Sequence, residues 1–233
     1  MGKVTVVGGR VGMEAPSNIP KNFADATWEK IIEACQNNNV PDTWAVGSQK
    51  AMKINGTDYL IDIIGKNHDT YTAGGTAPLT FQLHDCYGTA YDMNSTASNT
   101  TGWTSSDMRT TTLPSILVLM PSEVQAGIKE VNKKTSAGNK SATINKSEDK
   151  LFLLAEIEIF GTTSNSKSGE GSQYAYYAAG NSKVKNLGSN AYRWWTRSPV
   201  GGNTKGFCYV NDSGTYSTYN ANTSNGVTFA FCF

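Results

Sequence analysis

Between Trp194 and Phe233 the chain sets aromatic, strand-forming stretches around a polar segment, and this pattern limits the fold more than any other feature. Trp194, Trp195, Phe207, Phe229 and Phe231 are large residues that a protein buries, and at this spacing they need a sheet with a core-facing side. Between them, Tyr209 to Ser224 reads Tyr, Val, Asn, Asp, Ser, Gly, Thr, Tyr, Ser, Thr, Tyr, Asn, Ala, Asn, Thr, Ser. A polar segment held between aromatic strands is displayed on a rigid frame. Tyrosine with small hydrogen-bonding residues is also the composition of adaptable binding loops, because Tyr supplies contact area at little entropic cost while Ser, Asn and Gly adjust their hydrogen bonds.

Upstream the elements change in kind. Trp28, Ile31, Ile32 and Cys35 recur at i, i+3, i+4 and i+7, which predicts a helix with Asp25 as its N-cap and the Asn37 to Asn39 run as its end. Two β-rich runs, Met52 to Ile54 and Tyr59 to Ile64, flank Asn55-Gly56, a pair suited to positive φ, and so predict a hairpin. Leu79 to Leu83 reads as a strand, and Ser106 to Leu113 as a helix stopped by Pro114. Residues 133 to 150 read as a mobile loop or an exposed hairpin. Leu151 to Phe160 is the most apolar stretch of the second half. Helix lies early and strand late with no βαβ rhythm, so the expected class is α+β. A short strand at Val4 to Val7 opens a lead-in over residues 1–22, and one domain is expected over 23–233.

Composition excludes several partners. With 20 Lys+Arg against 19 Asp+Glu, the net charge of +1 offers no basic stripe for nucleic acid and no polybasic segment for an acidic membrane. Ile116 to Met120, the longest apolar run, is far shorter than the roughly 18 residues of a membrane helix. Met1 to Val4 shows no apolar signal region. Asn, Ser and Thr make up 68 of 233 residues, so the surface is neutral and polar.

Candidate chemistry is sparse. His68-Asp69 and His84-Asp85 could share a divalent ion, but two histidines are too few for the usual ligand sets, and a loop histidine bonded to backbone is the simpler account. His84 with Cys86 suggests a base and a thiol, with no oxyanion hole in sight. Glu156 and Glu158 could be a glycosidase pair, or the polar face of a strand or helix entry. Gly8-Gly9-Arg10-Val11-Gly12 misses the dinucleotide fingerprint. Cys208 and Cys232 lie in apolar strands, either facing each other as a disulfide or remaining two buried thiols. No metal or cofactor is expected.

Random replacement of adenines in Asn codons cannot yield Lys, Glu, Gln, Met or Trp. Residues 209–224 contain none of these five types, which account for 41 of the other 217 residues.

The strings WWTRSP (Trp194 to Pro199), FCYV (Phe207 to Val210), GVTFAF (Gly226 to Phe231), KLFLLAEIEIFG (Lys150 to Gly161) and EGSQYAYY (Glu170 to Tyr177) resemble those of an uncharacterised bacterial and phage domain family. That family reads WWLRSP, FC-V, GVRPAF and DKLFLLSE-E-FG. IIGKNHD (Ile63 to Asp69) and the GW-S-MR string (Gly102, Trp103, Ser105 or Ser106, Met108, Arg109) resemble its N-terminal half. Thr196, Thr228 and Phe229 depart from its pattern. The layout is similar to the C-type lectin fold of formylglycine-generating-enzyme relatives and to the variable proteins of diversity-generating retroelements, which include phage tail-fibre receptor binders. The enzymes' copper-binding cysteine pair and the calcium motif of animal lectins are not recognisable.

The resemblance implies a single C-type-lectin-like α+β domain, not an enzyme, with a variable face at about 190–225. It implies a partner that is a cell-surface protein or glycan, on a virus particle or an extracellular surface, with a homotrimer as one assembly. The face would comprise Asn190, Tyr192, Asn203, Thr204, Tyr209, Asn211, Asp212, Ser213, Thr215, Tyr216, Ser217, Tyr219, Asn220 and Asn222. Trp194, Trp195, Arg197, Phe207, Phe229 and Phe231 would be its frame. A carbohydrate-binding module and a purely structural virion domain are the alternatives.

Overall fold

A computed structural model describes residues 19–233; the strand expected at Val4 to Val7, the glycine cluster at 8–12 and the rest of the lead-in up to residue 18 lie outside the described residues. A short 3₁₀ turn, Phe23–Asp25, precedes helix α1 (Trp28–Gln36). Thr27, not Asp25, caps α1 by accepting the Lys30 N–H. Asp25 belongs to the preceding turn, one step too early to reach those amides. The hairpin is as expected: β1 (Gln49–Ile54) and β2 (Thr57–Lys66) pair antiparallel around Asn55 (φ 47°) and Gly56 (φ 81°). Both φ values are positive, which Asn-Gly tolerates best.

β3 (Leu79–Leu83) and the distant β11 (Ala230–Cys232) complete an antiparallel sheet of order β1-β2-β3-β11. The end of the chain therefore closes the sheet begun near its start. Leu151 to Leu154 run extended and buried beside β11, with Phe152 and Ala230 exchanging both backbone hydrogen bonds. Rings of Phe23, Trp28, Phe81, Phe231 and Phe233 pack against one another on this sheet.

The middle of the chain departs from the reading of Pro114 and of residues 133–150. Residues 107–117 form one continuous helical run in which a π turn (Met108–Thr112) passes directly into α2 (Leu113–Leu117), so the helix expected over Ser106 to Leu113 is present from residue 107 and Pro114 lies inside the run instead of stopping it. The π turn displaces the regular i→i−4 ladder just ahead of Pro114, whose ring and missing N–H would break a regular helix there. α3 (Ser122–Gly127) follows. β4 (Val131–Ser136) and β5 (Ile144–Asp149) form a hairpin that is only partly exposed, because Lys133, Thr135, Ser136, Ser147 and Asp149 are buried. Lys133, Thr135 and Asp149 find partners in other segments and Ser147 donates to Asp149 beside it, which offsets the cost of burying them.

After α4 (Glu156–Phe160) and α5 (Ala175–Ala178), the short pair β6 (Lys185–Leu187) and β7 (Asn190–Tyr192) precedes a three-stranded antiparallel sheet of order β10-β9-β8. Its strands are β8 (Trp194–Pro199), β9 (Gly206–Val210) and β10 (Tyr216–Asn220), with β10 at the edge. The fold is α+β with several small antiparallel sheets. All four cysteines are buried free thiols; Cys208 lies in β9 and Cys232 in β11, in different sheets, so no disulfide joins them. Among the described residues no helix is long and apolar enough to cross a membrane.

Candidate functional site

Beneath the C-terminal surface, every residue of Trp194 to Pro199 is buried. Each polar side-chain atom there needs a partner, and each has one. Trp194 and Trp195 donate their indole N–H to the Lys183 and Tyr91 carbonyls at 2.9 Å, and the Thr196 hydroxyl donates to the Cys208 carbonyl. Ser198 donates to Glu170 and accepts from the Glu156 N–H. Arg197 binds Glu158 through both terminal nitrogens (2.5 and 2.9 Å). It also donates to Thr135 and to the carbonyls of Leu153, Lys134 and Glu170. The guanidinium thus joins β8 to β4, α4 and the loop before α5.

Lys133 extends this network, with its Nζ 2.7 Å from Asp69 and 2.9 Å from Glu158. Burial alone would neutralise such groups; opposite charges at this range keep them ionised. Asp69 is held down at about 2: burial works to raise it, and Lys133 and Thr80 override that effect. Glu170, by contrast, has only the Ser198 hydroxyl and the Ser136 amide as donors, and burial pushes its carboxyl up to about 7.

Glu156 and Glu158 are not a glycosidase pair. Glu158 caps α4 through the Ala155 N–H and holds Arg197 and Lys133. Glu156 accepts from the Asn165 and Ser166 backbone and the Ser166 hydroxyl. Both are buried, as a helix entry, with their oxygens engaged.

The two histidines are structural in their surroundings. His68 stacks on Tyr174 at 4.0 Å between ring centres, and burial lowers its pKa. His84 Nδ1 lies 2.9 Å from Asp62, and that hydrogen bond raises its pKa. Cys86 is buried, and burial pushes its thiol up to about 12. Among the described residues no three His, Cys, Asp or Glu side chains are grouped to hold a metal ion.

Over this frame none of the fourteen residues of the expected face is buried, from Asn190 to Asn222, whereas Trp194, Trp195, Arg197, Phe207, Phe229 and Phe231 are wholly so. The fourteen do not act alike. Asn211 spends its side chain on the β9–β10 turn: its Oδ1 accepts from the Ser213 and Thr215 amides and the Ser213 hydroxyl, and its amide donates to Thr215. Asn203 does the same for the β8–β9 turn, accepting from the Lys205 and Gly206 amides. These residues make the loops rigid. Asn190, Tyr192, Asp212, Tyr216, Ser217, Tyr219, Asn220 and Asn222 have side chains with no hydrogen bond inside the described protein and are free for a partner.

Strand alternation divides them further. Ser217 lies opposite Tyr209, and Tyr219 opposite Phe207, so these four share one face of the sheet. Tyr209 packs on Trp195 at 6.2 Å and on Tyr219 at 5.8 Å. Tyr216 points to the other face, edge-on to Phe160 at 5.4 Å. The two exposed anchors Tyr216 and Tyr219, three residues apart, thus serve opposite sides of an edge strand.

One residue was absent from the sequence-derived set. Arg193 stands with its guanidinium carbon 5.6 Å from the Tyr192 ring and 5.1 Å from the Tyr219 ring. A cavity of ≈ 170 Å³ opens beside it, lined by Ala191, Tyr192, Arg193, Tyr209, Asn211 and Asp212. The only local signal was an Arg between an aromatic residue and a Trp-Trp pair, which does not by itself separate a surface stack from a buried ion pair such as that of Arg197.

No curated protein and no solved structure matches the chain. A family match runs from residue 78 to residue 233, from the lead into β3 through the last strand, and covers about two thirds of the chain. By that match the chain belongs to the family described as Domain of unknown function (DUF6273).

Proposed function

We propose that this domain is a non-enzymatic binding module on a C-type-lectin-like frame, presenting the β9–β10 hairpin and β7 as a variable ligand-binding surface on a virus particle or an extracellular surface. The observation that carries the reading is the division of labour in the last third of the chain. Trp194 to Pro199 are buried with every polar side-chain atom hydrogen-bonded, while the fourteen polar and tyrosine positions of the face are all at least partly exposed. Side chains on such a surface can vary without disturbing the core, because substitutions away from packed or networked positions change stability by only about 0.5 kcal/mol. The absence of Lys, Glu, Gln, Met and Trp from residues 209–224 is what adenine-directed variation would leave.

Two measurements test this. The encoding locus is expected to carry a near-identical template repeat that differs only at adenines, beside a reverse transcriptase; a locus without one removes the variability claim. Replacing Ser217, Tyr219, Asn220 and Asn222 together by Ala is expected to abolish attachment to the target cell and leave the melting temperature within about 2 °C of the parent. Unchanged attachment would refute the binding-face assignment.

A further inference from the structure

The site beside Arg193 is specific enough to name a ligand class. We infer that it binds the carboxylate of an acidic sugar, with the guanidinium taking the carboxylate and the tyrosines taking the ring. This rests on the reading of the β9–β10 surface as the binding face, and deepens it.

Arg193 is half-buried and its side chain makes one hydrogen bond, from Nε to the Asn225 Oδ1. Asn225 is wholly buried, so this bond fixes the plane of the guanidinium. Tyr192 and Tyr219 both lie within cation–π range of it. Neither terminal nitrogen has an acceptor or an ion-pair partner among the described residues. Every other part of the side chain is held, and the fork is left over. A guanidinium does not shed its charge, and a planar fork meets a carboxylate through two parallel N–H···O bonds. The counter-charge is therefore expected from outside.

The surroundings select a sugar. The cavity, ≈ 170 Å³, is below the roughly 300–1,000 Å³ of sites for drug-sized ligands and suits one ring. Tyr192 and Tyr209 line it with aromatic rings whose hydroxyls make no internal hydrogen bond among the described residues, a surface both apolar and hydrogen-bonding, as a pyranose requires. Asp212 on the rim is the one opposing charge. It makes no ion pair with Arg193, so it weakens an anion's binding without occupying the fork.

The test compares oligosaccharides ending in glucuronate or N-acetylneuraminate with their carboxyl-reduced counterparts, on immobilised arrays and by titration calorimetry with the full chain. The acidic sugars are expected to bind, and carboxyl reduction to weaken binding at least about tenfold, the loss expected for a charge-assisted bidentate pair. Arg193→Lys, which keeps the charge but not the fork, is expected to weaken acidic-sugar binding about tenfold. Asp212→Asn is expected to strengthen it, and Lys53→Ala, an exposed cation of the first hairpin outside the binding face, to leave it unchanged. Thermal melts of each variant separate lost binding from lost folding, and the parent-chain comparison needs no variant.

Equal binding of reduced and acidic forms, indifference to Arg193→Lys in a folded protein, binding of acidic peptides in place of acidic sugars, or no binding to any of the sugars would each overturn the inference. A chain that still attaches to its target cell through Ser217, Tyr219, Asn220 and Asn222 while ignoring acidic sugars would overturn the sugar assignment alone. A chain whose attachment is indifferent to those four residues would overturn the binding face itself.

Discussion

Glu170 joins burial to pH in a way that a single substitution isolates. Its carboxylate is fully buried, accepts from the Ser136 amide and the Ser198 hydroxyl, and lies near the Arg197–Glu158 pair. Burial raises its pKa from 4.5 to about 7. Between those two values the native protein keeps a proton that the unfolded chain has released. Stability then falls as pH rises, by about 1.4 kcal/mol per pH unit and by about 3 kcal/mol across the window, with no further change above about pH 7.

Glu170→Gln keeps the shape, keeps an acceptor for Ser136, and offers an amide to the Ser198 oxygen, but cannot ionise. Relative to the parent, the variant should gain about 3 kcal/mol between pH 5 and pH 7.5, or about 6–12 °C in melting temperature for a chain of this size. The histidines are present in both proteins, so protons they exchange cancel in the difference. Urea denaturation of both proteins at half-unit pH intervals, extrapolated to water, measures it. Parallel stability curves would refute the reasoning, since they would mean that two hydrogen bonds and Arg197 outweigh burial and keep Glu170 ionised at pH 5.

Other outcomes follow from the same structure. Lys133→Met leaves Asp69 and Glu158 without their shared cation and should cost about 3–5 kcal/mol in urea denaturation, whereas a solvated lysine there would cost almost nothing. Gly138→Ala would place a Cβ 1.8 Å from the Asn99 carbonyl oxygen at φ +75°, so the loop must be rebuilt; Gly47→Ala, at φ +92° with nothing within 4 Å, should cost only about 1–2 kcal/mol of backbone strain. Comparison of the two melting temperatures decides whether close approach or φ dominates. Alkylation followed by mass spectrometry should label no cysteine in the native described domain and all four after denaturation.

Elements set by neighbours along the chain were legible. Asn55-Gly56 needs only its own two residues to prefer positive φ, and α1 needs only its apolar spacing. Two local readings went astray at the ends of helices. Pro114 stops a regular helix, but here a π turn precedes it and the helical run continues through it. Asp25 and Thr27 are both good caps, and which amides lie within reach depends on where the turn before α1 ends.

The surface proposed for binding was legible in its composition and not in its geometry. Tyrosines spaced by three must face opposite ways on a strand, so Tyr216 and Tyr219 separate once β10 is known to be one. Asn203 and Asn211 looked identical in kind to Asn220 and Asn222, and only the turns reveal that the first two hold loops while the others stand free.

By itself, then, the order of residues determined the α+β class, the first hairpin and the aromatic frame around a polar segment, because periodicity and turn chemistry act over a few residues. The tertiary structure alone decided that Lys133 is a buried cation and Arg193 an unpaired one. Charge pairing depends on what arrives through space: Asp69 and Glu158 reach Lys133 from segments far along the chain, and for Arg193 no carboxylate arrives among the described residues.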